Sequence, residues 1–149
     1  MIVNSLPKFL VAGAFAAVST FALDAHAQNP HFIGEPTARC RGANLEVSFK
    51  VAGLGQGEFV TVAATGDATA QCVNRGDNIP PGQTETVSAS GTFGPASKSG
   101  NVVGALLLSP QAQCPGGQTL RVTYTDITLV LPGTGETVPL EGTFVCSAR

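Results

Sequence analysis

Between residues 44 and 51 every second side chain is apolar. Leu45, Val47, Phe49 and Val51 alternate with Asn44, Glu46, Ser48 and Lys50. A period of two puts the first set on one face of a β-strand and the second on the other. The same pattern recurs along the chain. Residues 58–65 read as a second strand, Gly66-Asp67 as a tight turn, and residues 68–73 as a third strand. Residues 74–83 form a polar loop with two prolines. Residues 85–93 alternate again, with Val87, Ala89 and Phe93 on one face. After a small-residue loop at 94–100, residues 102–108 are almost continuously apolar. Such a run predicts a strand buried on both faces or under a loop.

The stretch 119–131 changes phase. Leu120, Val122 and Tyr124 occupy even positions, whereas Ile127, Leu129 and Leu131 occupy odd ones. A one-residue slip inverts every side chain of a strand, so a bulge or bend near Asp126 is required. Residues 132–135 turn, and Val138, Leu140, Phe144 and Cys146 line one face of the last strand. No amphipathic helix of useful length is present. Seven or eight short strands punctuated by Gly and Pro predict an all-β, single-domain antiparallel β-sandwich of immunoglobulin-like architecture.

The N-terminus has the organisation of a secretory signal. Lys8 precedes an apolar run, residues 9–23, and Ala25-His26-Ala27 is a small-x-small cleavage pattern, which places cleavage between Ala27 and Gln28. As a helix the run spans about 22 Å, short of the roughly 30 Å hydrocarbon core, so no transmembrane anchor is expected. The chain divides into a signal, 1–27, a short lead, 28–39, and the sandwich, 40–149. The expected location is secreted, extracellular or periplasmic. The exported part holds 7 basic and 9 acidic residues and no basic run, which argues against a nucleic-acid partner. An extracellular protein or the cell surface is the expected partner class.

All four cysteines, Cys40, Cys72, Cys114 and Cys146, follow the signal. An even count in an exported chain predicts two disulfides. Their wide spacing lacks the close pairs of a zinc site, so no metal or other cofactor is expected. A faint internal echo, Cys40-Arg41-Gly42-Ala43 against Cys114-Pro115-Gly116-Gly117, would pair Cys40 with Cys72 and Cys114 with Cys146.

Several stretches resemble a group of short exported bacterial proteins to which no activity is attached. They are Leu45-Glu46-Val47-Ser48-Phe49-Lys50-Val51-Ala52-Gly53-Leu54-Gly55, Ala68-Thr69-Ala70-Gln71-Cys72-Val73-Asn74, Val87-Ser88-Ala89-Ser90-Gly91-Thr92-Phe93, Cys114-Pro115-Gly116-Gly117-Gln118-Thr119-Leu120 and Val122-Thr123-Tyr124-Thr125-Asp126-Ile127-Thr128. The resemblance covers about residues 44–144. It implies a Cys72–Cys114 bridge, which leaves Cys40–Cys146. The chain departs from the group at Asn74-Arg75-Gly76-Asp77-Asn78, where the pattern runs Asn-x-Gly-Gly-Asn.

No catalytic constellation emerges. His31 is the one histidine after the signal and falls in the N-terminal lead, so a Ser-His-Asp or Cys-His site is not expected. The candidate binding loop is Asn74, Arg75, Gly76, Asp77 and Asn78. It contains the tripeptide that some adhesion receptors read, but a chance occurrence in a polar turn is the favoured reading. Calcium would need more carboxylates than this loop offers. A protease inhibitor would present 74–83 or 94–100. The reading adopted is a non-enzymatic structural, surface-associated or protein-binding module. The alternative is a small secreted hydrolase using paired carboxylates from among Glu46, Glu58, Glu85, Asp126, Glu136 and Glu141. Asp126 is the most prominent of these, because it lies at the phase change.

Overall fold

The computed structural model describes residues 29–76 and 78–148. Nine strands are present among them: β1 (His31–Phe32), β2 (Thr37–Arg41), β3 (Asn44–Ala52), β4 (Val60–Val73), β5 (Gln83–Phe93), β6 (Val102–Leu108), β7 (Thr119–Leu131), β8 (Glu136–Leu140) and β9 (Phe144–Ala148). They form two antiparallel sheets. In the first, β3 is flanked on one side by β1 and β2 in succession and on the other by β6. In the second the order is β5–β4–β7, and β8 and β9 share the far side of β7. The chain changes sheet between β3 and β4, between β5 and β6, and between β6 and β7. This is the Greek-key order of an immunoglobulin-like sandwich.

The inner faces are the apolar sets of the alternation. Leu45, Val47, Phe49 and Val51 from β3 face Val62, Ala64 and Ala68 from β4 and Val122, Tyr124, Ile127 and Leu129 from β7. No polar or charged residue is buried among the described residues apart from the hydroxyl of Tyr124, whose partners are both backbone carbonyls. The ring of Phe49 packs edge-on against Phe32 and Phe93, with centroids 6.3 and 4.9 Å away. Gly104 on β6 lies beneath that cluster. A Cβ there would come within 2.6 Å of Phe93 and 2.7 Å of Phe49. Gly104→Ala should therefore cost about 1–3 kcal/mol through overpacking, read from the urea midpoint.

Four local expectations need correction. Residues 28–39 carry more than a lead, because β1 and most of β2 lie there and pair with β3. Gly66-Asp67 is not a turn. β4 runs through it as one 14-residue strand. Opposite, β7 bulges, and the β4–β7 register shifts between Thr65 and Asp67. A Cβ on Gly66 would lie 2.2 Å from Ile127 Cδ1, so the glycine admits the bulge rather than reversing the chain. The last strand is two strands. β9 pairs with β7 up to Tyr124 and β8 pairs from Ile127 onward, so the break falls opposite the bulge. β6 is buried on one face only. Val102, Leu106 and Leu108 point inward, whereas Val103 is 74% exposed and Leu107 45%.

The bulge itself is where the phase change requires it. Asp126 has φ +55°, a left-handed conformation that Asp tolerates better than most side chains. Asp126→Asn should shift stability by less than about 1 kcal/mol, whereas the β-branched Asp126→Val should cost about 1–2 kcal/mol or more. Parallel urea titrations of the two variants check this.

The disulfides are Cys40–Cys146 and Cys72–Cys114. The first joins β2 to β9 across one open side of the sandwich. The second fastens the end of β4 to the loop that precedes β7. The pairing implied by the resemblance is the one present, and that of the internal echo is not.

Candidate functional site

The Cys72–Cys114 bridge brings together the two loops at one end of the second sheet. Beside it, on the outer face, lies an open cleft of about 750 Å³. Its floor comes from strand residues of outward parity. Val122 and Tyr124 point into the core, so Thr119 and Arg121 on the same strand point out. Arg121 stands opposite Gln71 on β4 and Ser147 on β9. Val73, at the end of β4, stands opposite Thr119. The walls come from loops: Asn74, Arg75 and Ile79 on one side, Gly117 and Gln118 on the other. Gln71 braces the first loop by donating from Nε2 to the carbonyl of Pro80 at 3.3 Å.

The cleft carries two guanidinium groups. Neither Arg75 nor Arg121 forms an ion pair with a described carboxylate. The contrast is on the other sheet, where Arg39 and Arg41 of β2 both bind Glu46 of β3. The hydrogen bond from Arg39 is the main reason that the Glu46 carboxyl is held below its ordinary value. Those two arginines share a carboxylate partner, whereas the two in the cleft have no described one.

Of the candidate loop, Asn74 and Arg75 line the cleft. Gly76 and Asn78 are exposed beside it but are not part of the lining. Asp77 lies outside the described residues, as do the expected signal, 1–27, and the expected cleavage residues Ala25, Ala27 and Gln28. Sequence reasoning missed Arg121, Gln118, Thr119 and Ser147. The available signal was Arg121, the single basic residue of a threonine-rich strand, at an outward position.

The carboxylates are mostly dispersed and occupied. Glu85 accepts a hydrogen bond from the Gln111 amide at 2.7 Å, and Glu136 accepts one from the Phe32 amide at 3.0 Å. Glu58 accepts from the Gly55 amide at 3.2 Å. Asp126 and Glu141 do line one small cleft, of about 190 Å³. That is below the roughly 300 Å³ at which ligand pockets begin. His31 sits on β1, its Nδ1 2.8 Å from the carbonyl of Asn29. Among the described residues no group of three or more His, Cys, Asp or Glu could hold a metal ion. No helix of the described residues is long and apolar enough to cross a membrane.

The lining of the large cleft holds hydrogen-bonding and cationic groups, with no carboxylate and no nucleophile–base pair among the described residues. Such an arrangement can bind a ligand through hydrogen bonds and charge. In comparisons with known proteins, no family model matches the chain and no curated protein matches it.

Proposed function

We propose that this chain is an exported, non-enzymatic binding module that holds a partner outside the cell, an extracellular protein or a component of the cell surface. The observation that carries the reading is the open cleft at the disulfide-fastened end of the second sheet, lined by Arg75 and Arg121 and holding no acid–base pair among the described residues. The signal-like N-terminus and the resemblance to exported proteins support the location. Two bridges in a domain of this size fit an oxidising compartment. The paired-carboxylate reading rests on Asp126 and Glu141, whose cleft is smaller than a substrate pocket.

The test has two parts. Mass spectrometry of protein recovered from culture fractions should give a chain beginning at Gln28 that gains four hydrogens on reduction. A photo-crosslinking side chain at Gln118, inside the cleft, should label a surface or extracellular component when the protein is added to intact cells. The same group at Ser90, on the outer face of β5, should not. A chain that keeps Met1, or equal labelling from both positions, overturns the reading.

A further inference from the structure

We infer that the cleft recognises a carboxylate beside an aliphatic side chain, and that its ligand is a peptide segment of the partner. This rests on the cleft being the binding site. Only 12% of the chain is charged and its net charge is −2, so the surface is sparsely ionic and slightly negative. Two arginines free of described carboxylates on the lining of one cleft are an exception to that background. A guanidinium is a planar fork of donors that matches a carboxylate, and the contact is stronger than one between neutral groups.

The rest of the lining selects a peptide. Asn74, Gln118, Thr119 and Ser147 offer both donors and acceptors, which suits backbone amides and carbonyls. Val73 and Ile79 supply an apolar patch, with Ile79 48% exposed. An aliphatic side chain of the ligand would remove that patch from water. Among the described residues no aromatic ring lines the cleft to offer a sugar ring a stacking platform. Its volume of about 750 Å³ exceeds what a lone anion needs and lies in the range of pockets that enclose larger ligands. The carboxylate can come from an acidic side chain or from a chain terminus, and the chemistry is the same for both.

The experiment is NMR titration of the purified, isotopically labelled exported protein with four probes. The first is the capped peptide acetyl-Ala-Leu-Glu-Ala-amide. The second is its Gln counterpart. The third is acetyl-Ala-Ala-Leu with a free C-terminus, and the fourth is sodium acetate. The glutamate peptide, the free-terminus peptide or both should shift the amides of Gln118, Arg121 and Ser147 saturably. Whichever binds names the source of the carboxylate. The Gln peptide should bind about tenfold or more weakly, as should the glutamate peptide to Arg121→Gln. Added salt should weaken binding to the unaltered protein, which keeps the test valid if the variant misfolds.

If the Gln peptide binds equally well, the cleft remains a binding site but carboxylate recognition is wrong. If acetate binds as well as the peptides, the site is an anion site and the peptide inference fails. If no probe shifts these amides, carboxyl-peptide recognition is overturned. The binding-module reading then stands or falls separately on the crosslinking from Gln118.

Discussion

Replacing Cys40 and Cys146 together by alanine should lower stability by about 4–5 kcal/mol. Removing Cys72 and Cys114 should cost somewhat less, about 4 kcal/mol. In the chain-entropy picture a bridge acts by restricting the unfolded chain, and the effect grows with the logarithm of the loop closed. The first bridge spans 106 residues and the second 42. Domains are stable by only about 5–15 kcal/mol, so either loss consumes a large share of what holds this one together. Urea titrations of the two double variants without reductant give both values. The m-value should also rise, because an uncrosslinked unfolded chain exposes more surface. Losses below about 1 kcal/mol for both pairs would show that the chain-entropy account does not apply here.

The two bridges should also differ in where their loss is felt. Cys40–Cys146 ties strands of opposite sheets, and Cys146 is buried, so its removal loosens the sandwich as a whole. Cys72–Cys114 joins two segments at one end, beside the cleft. Its removal should speed amide exchange in the loops on either side of that cleft before it affects the core strands.

The core was legible because it obeys a period of two. Leu45 to Val51 and Val122 to Leu131 announce their buried faces, and the slip between Tyr124 and Ile127 announces the bulge at Asp126. What the sequence concealed was long-range. Gly-Asp is an ordinary turn dipeptide, and nothing local to Gly66 reveals that a bulge 60 residues away presses on it. β2 shows no apolar alternation. It is held by backbone pairing to β3 and by the Arg39 and Arg41 contacts with Glu46, which composition does not reveal. β6 reads as buried because every side chain is apolar or Gly. Its alternate residues nevertheless fall on the outer face of the sheet, where Val103 and Leu107 face solvent. The cleft was half visible. Arg75 drew notice through its tripeptide, but its companions Arg121 and Ser147 come from two other strands, and only the folded register sets them side by side.

Tyr124 makes the other large prediction, and it is one of alkaline stability. The side chain is fully buried, and its hydroxyl donates to the carbonyl of Ala43 at 2.7 Å, with the carbonyl of Leu108 at 3.3 Å as a second acceptor. It therefore fastens β7 of one sheet to the β2–β3 turn and the end of β6 in the other. Tyr124→Phe should cost about 1–2 kcal/mol through the lost hydrogen bond, and Tyr124→Ala about 3–5 kcal/mol through the cavity as well. Burial, chiefly, and then the charge of Glu85 push the phenol up to about 12 from its ordinary value near 10. The folded state thus holds this proton more tightly than the unfolded state. The corresponding stability is complete below pH 10 and is lost as pH rises through about 12, a change of about 2–3 kcal/mol. The chain has one Tyr and no Trp, so tyrosinate absorbance reports this single group without overlap. Absorbance and circular dichroism should change together above pH 11 in the unaltered protein. In Tyr124→Phe, the part of the alkaline loss that begins at pH 10 should disappear. An absorbance midpoint near 10 with the fold intact would mean that the hydroxyl is reached by water and that the tie between the sheets is not closed.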